Sequence, residues 1–370
     1  MTIERVRRGA TCSRYLLDQR FAILYTFTMP ATARQSHENS ALGRGLRVIF
    51  ASLAWFVVGL ASLWAAAALY FDFPSHALKL PLSVAYVILL VAILFIVRGG
   101  TRKWLAWAVC FAAVAFWWFS LKAPSDRPWL ADVAQTASGE VNGDVLTLHN
   151  VRNCDYRAEF DFTCKWETRT YDLTQLRGID FFLDNWGSPW IAHPILSFDF
   201  GPGGHLPMSI ETRKMEGQSY SALLGFFRQY TLIVIPSDER DVVRLRTNYR
   251  VGENLYLYRL TVPPAKARVL LLDYVNTINE LHNNPRWYNA ITTNCTTVIF
   301  QQADLERKDW NWRIILNGKL DELQYSRGRL VTGGLSFPAL KEQAWINPAA
   351  KAANQSPDFS ELIRKGRVGF

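Results

Sequence analysis

The chain alternates between long apolar runs and mixed stretches, and the change of pattern divides it. Val48 to Phe71, Leu80 to Val97 and Trp104 to Leu121 are almost wholly apolar, each close to the ~20 residues a helix needs to cross a bilayer. Three such runs so close together, nearly free of charge, argue against buried helices of a soluble core and predict three transmembrane helices over 48–121. At 122–143, "KAPSDRPW" breaks the helix and "TASGEVNG" is small and polar, so this stretch reads as a linker. Beyond it the apolar period falls to two. Asp144 to Arg152, Trp190 to Phe200, Leu206 to Arg213, Thr231 to Ile235 and Leu255 to Val262 read as strands, with "GPGG" joining the second and third. Pro264 opens a helix with Leu271, Tyr274, Ile278 and Leu281 on one face, ending near "HNNP". A further helix is expected from about Asn294. Strands followed by helices predict an α+β domain over 144–370, long enough for one sizeable core.

Charge placement gives the apolar runs an orientation. The tail 1–47 holds eight arginines against Glu4, Asp18 and Glu38, a net of +5, and "RGGTRK" between the second and third runs adds +3. The connector after the first run carries only Asp72 and Lys79. Positive segments stay cytoplasmic, so the tail and "RGGTRK" are expected inside and everything after Leu121 outside, in a bacterial inner-membrane layout. Trp104, Trp117, Trp118 and Trp129 near the ends of the third run suit the membrane interface. Residues 122–370 contain 29 Lys and Arg against 28 Asp and Glu, so the pI near 9.3 belongs to topology and not to a nucleic-acid surface. No signal peptide is expected, because 1–47 is long and its charges are scattered. The first 28 residues read poorly as structure, which makes Met29 a candidate start.

Topology sorts the five cysteines. Cys12 falls in the tail and Cys110 in the third run, leaving Cys154, Cys164 and Cys295 in the exported part. Cys154 and Cys164, ten apart in "NCDYRAEFDFTC", are close enough to bridge in an oxidising compartment, with Cys295 left over. In "WYNAITTNCTTVIF" Asn294 or Thr293 can cap a helix whose first turn carries Cys295, where the helix dipole favours a thiolate. A buried structural cysteine fits the same pattern.

Among the histidines, His193 has the most informative surroundings. In "WIAHPILSFDF" Trp190, Ala192, Leu196, Phe198 and Phe200 share one strand face, and His193, Ser197 and Asp199 the other. In "LPMSIETRK" Leu206, Met208 and Ile210 are apolar, with Ser209, Glu211 and Arg213 opposite. A three-residue loop over 201–203 pairs Phe200 with Gly204 and sets His193 directly across from Glu211, near enough for a carboxylate to orient an imidazole. A half-solvated strand pair with no catalytic role would show the same alternation. His282 looks like a helix C-terminal cap and His205 like a turn residue. No HExxH, paired CxxC or phosphate loop is present, so no metal or cofactor is expected. Arg213, Arg244 and Arg246 can hold an anionic head group or form surface ion pairs. Trp287 and Tyr288 can wall an acyl chain or simply pack in the core.

Taken together, "AHPILSFDF", "SIETRK", "FRQYTLIVIPSDERDVVRLRTNYR" and "RWYNAITTNCTT", with "FPALK", "INPAAKAA" and "PDFSELIR" near the end, resemble the Lnb N-terminal periplasmic domain family from about His149 onward. The spans precede the domain here, whereas those of the family's namesake acyltransferase are associated with its other side. The family is similar to permuted papain-like and NlpC/P60-like proteins, in which a His and a polar partner on adjacent strands precede a Cys at a helix start. By that resemblance His193 is the base, Glu211 the orienting group and Cys295 the nucleophile, with Asn294, Ser209, Arg213 and Tyr288 as auxiliary candidates.

The resemblance implies a membrane-anchored periplasmic cysteine acyltransferase. It would move an acyl group from an inner-membrane phospholipid through a Cys295 thioester to an amine such as a lipoprotein N-terminus. A cysteine amidase or peptidase acting on peptidoglycan or protein shares the chemistry with water as acceptor. A non-catalytic envelope protein would keep the fold alone.

Overall fold

The computed structural model describes residues 31–290, 311–314 and 316–370. The chain divides into two compact units, Met1–Ala61 and Ser62–Phe370. Helix α1 (Ala31–Asp72) begins in the first and ends in the second; α2 (His76–Ile96) and α3 (Gly100–Ser120) follow. Among the described residues three helical stretches are long and apolar enough to cross a membrane: Gly45–Asp72, His76–Ile96 and Gly100–Ser120. Within the second unit they meet through small residues. Ala65 and Ala66 pack with Tyr86 and Val114, and Trp107 Nε1 donates to Ser62 Oγ at 2.9 Å.

The domain that follows is α+β. A three-stranded antiparallel meander, β1 (Ser138–Asn142), β2 (Val145–Ala158) and β3 (Asp161–Asp172), leads into an antiparallel sheet of five. The five are β4 (Gly178–Trp186), β5 (Ala192–Asp199), β6 (His205–Arg213), β7 (Thr231–Pro236) and β8 (Glu253–Arg259), in the order β7-β6-β5-β4-β8. Residues 138–142, assigned to the linker, form β1, because Gly143 with φ 61° closes a two-residue hairpin onto β2. Strand β4 was not anticipated: Asp180 and Asp184 interrupt its apolar pattern, yet both are buried because arginines far along the chain neutralise them.

The alternation read for the second and third predicted strands sorts the layers of the sheet. Leu196, Phe198, Phe200, Leu206, Met208 and Ile210 face the main core, against helix α5 (Pro264–Asn283) and the meander. The opposite face is also covered, which the half-solvated alternative did not anticipate. Phe182 and Ile195 pack there on Val242 and Val243 of α4 (Glu239–Arg244) and on Ile346, Phe359 and Ile363 near the C-terminus. Helix α4 continues into a π-helical turn, Leu245–Tyr249. The polar residues of this face are therefore largely enclosed by helices.

Candidate active site

His193 stands at the start of β5, and Ser209 and Glu211 lie on the neighbouring β6. The ladder pairs Leu196 with Met208 and Asp199 with His205, and Phe200 N–H donates to Gly204 O at 2.9 Å, which is the register the three-residue loop implied. Extended, that register sets His193 across from Glu211. The side chains meet differently from the direct contact anticipated. His193 Nε2 lies 2.8 Å from Ser209 Oγ, and Ser209 Oγ donates to Glu211 Oε1 at 2.8 Å. Ser209, the diagonal neighbour, is interposed. Strand pairing ends at Leu196, and beyond it the diagonal contact replaces the direct one.

This order of donors fixes the imidazole. The serine hydroxyl has one proton and gives it to Glu211, so it must accept from Nε2–H. Nδ1 is then the nitrogen left to take a proton. Glu211 also accepts from Arg246 Nη2 at 3.1 Å, and Arg246 Nε lies 3.3 Å from Asp184, the Cα partner of His193 on β4. Arg246 reaches this point from the π turn after α4, a feature that re-aims a side chain within a helix.

Charge sets the protonation states. Burial opposes ionisation of Glu211, but Arg246 and then Arg152 outweigh it and hold the carboxyl well below the usual range. Burial, with Arg246 beside it, pulls His193 down to about 3, while Glu211 works in the opposite direction. The resting pair is a neutral imidazole and a carboxylate. Arg152 on β2 is itself held by Asp241 of α4, with Nε to Oδ2 at 2.8 Å and Nη2 to Oδ1 at 2.7 Å, both residues almost fully buried. Asp241 Oδ2 also accepts the Cys154 amide at 2.9 Å. Cys154 and Cys164 are directly paired on β2 and β3 and joined by a disulfide.

Cys295 and Asn294 lie outside the described residues. The segment leading to them is well placed: Thr231 of β7 bridges to Trp287, Tyr288 N–H donates to Tyr230 O at 3.0 Å, and Ala290 N–H to Gly225 O at 2.9 Å. Tyr288 is buried in the main core. Arg213 stays out of the relay. It donates to the carbonyls of Val133 and Ala134 and stacks on Trp129 at 4.4 Å. The expectation of surface ion pairs for the three arginines is corrected, since Arg213, Arg244 and Arg246 are all buried. Asp184, Arg152 and Asp241 were missed in the sequence: no predicted element holds Asp184 or Asp241, and Arg152 reads there only as the end of a strand.

A second charged cluster lies on the same sheet face. Asp180, His205 and Glu239 bring ligand atoms within 4.8 Å of one another, a grouping invisible in the sequence. Arg364 already binds both carboxylates, with Nη2 at 2.6 Å from each, and Arg259 Nε lies 2.9 Å from Asp180. A divalent cation would have to displace a guanidinium, so the donor set fits an ion-pair network that locks the C-terminus onto the sheet.

Neither a curated protein nor a solved structure matches the chain. Residues 162–322, the stretch containing His193, Ser209, Glu211, Arg246 and Cys295, match the family model of the Lnb N-terminal periplasmic domain, the family that the motifs of the chain resemble.

Proposed function

We propose that this membrane-associated envelope protein is a cysteine acyltransferase of the inner membrane, its tail cytoplasmic and its α+β domain periplasmic. The single observation that carries the reading is the chain His193–Ser209–Glu211–Arg246, which orients a neutral imidazole with Nδ1 as the accepting nitrogen. A base oriented through a polar partner on the next strand, with a cysteine following in sequence, has the order of a papain-like site. His193 takes the Cys295 proton as the sulfur attacks a phospholipid ester carbonyl. The ester C–O bond breaks, and the lysophospholipid oxygen leaves with that proton. A primary amine then attacks the thioester; its proton passes through His193 to sulfur as the C–S bond breaks and an amide forms.

The test is incubation of the detergent-solubilised protein with acyl-labelled phospholipid, quenched with and without hydroxylamine. Wild type should carry label that hydroxylamine releases. Cys295→Ala and His193→Ala should carry none, because nucleophile and base act as a unit. Cleavage of a peptidoglycan fragment without lipid labelling would replace this reading with a hydrolase.

A further inference from the structure

We propose that the segment Tyr220–Phe227 is inserted into the lipid bilayer beside the ends of the spanning helices, at the boundary between head groups and acyl chains. The proposal concerns where this surface sits and does not rest on the acyl-transfer reading. Its starting point is the depth of Phe227. That ring is buried against Ala68 and Trp118 and lies 4.9 Å from the ring of Phe71. Ala68 is about one helical turn, roughly 6 Å, before the end of α1 at Asp72. The loop therefore reaches down past the last residue of a membrane helix.

A polar ceiling lies just above it. Asp72 accepts from Trp118 Nε1 at 2.7 Å, from the Arg228 amide at 3.0 Å and from Gln229 Nε2 at 2.7 Å, and the Arg228 guanidinium stacks on Trp118 at 3.8 Å. Tryptophan, arginine and carboxylate together are chemistry suited to the interfacial layer. Next to Phe227, Phe226 is 36% exposed and Leu223 is 61% exposed. No charged residue occurs between Glu216 and Arg228. Large apolar side chains presented at membrane level on an uncharged loop are matched by lipid, not water.

Part of the backbone meets a stricter requirement. Lipid supplies no hydrogen bonds, so amides at that depth need partners within the protein. Gly225 N–H donates to Ser221 O, Phe226 N–H to Leu223 O and Phe227 N–H to Leu224 O, while Ser221 N–H reaches the Tyr230 hydroxyl. Gly225 O accepts from Ala290, and a Cβ on Gly225 would meet Ala290 Cβ at 3.2 Å, so a side chain there would press the two segments apart by a few tenths of an ångström. The chain running to Cys295 is thereby attached to the inserted loop.

The experiment uses the full chain in lipid nanodiscs, with Cys12, Cys110 and Cys295 replaced by Ser and the Cys154–Cys164 pair kept. A single cysteine at Leu223 or Phe226 carries an environment-sensitive fluorophore. A probe at Val269, 60% exposed in the second turn of α5, is the aqueous reference. Blue-shifted emission at 223 and 226, quenching by lipids with a nitroxide high on the acyl chain, and protection from aqueous iodide are expected, with the reverse at 269. Iodide quenching at 223 and 226 equal to that at 269 would overturn the proposal. So would blue-shifted emission that lipid nitroxide leaves unquenched, which would mean a protein contact. Two labelling positions guard against one variant that fails to fold, checked by retention of the disulfide.

Discussion

His193 carries the charge state on which the site's chemistry turns. Its folded pKa, about 3, lies below the ~6.5 of an unfolded histidine, so the folded protein binds fewer protons between those values. The stability this contributes is present above pH 6.5 and lost as pH falls toward 3, and the depressed Glu211 acts in the same direction at lower pH. Nitrogen-edited NMR should find His193 neutral at pH 5, protonated on Nε2; a signal titrating near 6.5 would contradict the site's electrostatics. The acid limb of the proposed acyl transfer should likewise fall well below pH 6.5. Ser209→Ala removes the acceptor for Nε2–H and should cost about 1–3 kcal/mol, while Glu211→Gln keeps an acceptor and should retain a fraction of activity. Arg152→Met strands the buried Asp241 carboxylate, and denaturant titration should register about 3–5 kcal/mol of destabilisation. Replacing both partners should cost less than the two single changes combined, which a double-mutant cycle would measure.

The elements legible in the sequence are those whose pattern is local. The apolar helices, the β5–β6 hairpin with its register and α5 each announce themselves within about 20 residues. So did the facing of His193, Ser209 and Glu211, because strand alternation needs no distant partner. The hairpin formed by β1 and β2 was equally local and signalled by Asn142-Gly143, but small polar residues before it read as linker. Strand β4 was not local. Its buried Asp180 is explained by Arg364 and Arg259, far away in sequence, and Asp184 by Arg246. The interposed Ser209 could not be read because twist, not register, decides which diagonal neighbour an imidazole meets. The β2–β3 hairpin carries its own prediction. A disulfide closing a ten-residue separation restricts the unfolded chain enough to contribute about 2–3 kcal/mol. Cys164→Ser should lower the denaturation midpoint accordingly, without changing labelling of Cys295 if that thiol is independent of the bridge.

At the scale of the second unit, membrane helices and domain meet around one carboxylate. Asp72, the last residue of α1, takes hydrogen bonds from Trp118 on α3 and from Arg228 and Gln229 of the domain. Trp287 Nε1 adds a bond to Leu121 O at 2.8 Å, so the segment that precedes Cys295 in the sequence is tied to the end of α3 as well. Such a junction would hold the site at a fixed height over the bilayer. Asp72→Leu leaves three donors without their acceptor, each costing about 1–3 kcal/mol if it stays buried, so the junction should open before the domain unfolds. Hydrogen exchange should then rise at least roughly ten-fold, the equivalent of about 1.4 kcal/mol, at the Arg228 amide and at Tyr288. The β2–β3 amides, which touch none of these groups, should exchange as in wild type. Asp72→Asn keeps a carbonyl oxygen for Arg228 and Gln229 and should fall between the two. Uniform acceleration across the domain would instead mean that Asp72 supports global stability, and unchanged exchange at Arg228 would mean that the apolar contact of Phe227 with Ala68 and Trp118 holds the junction alone.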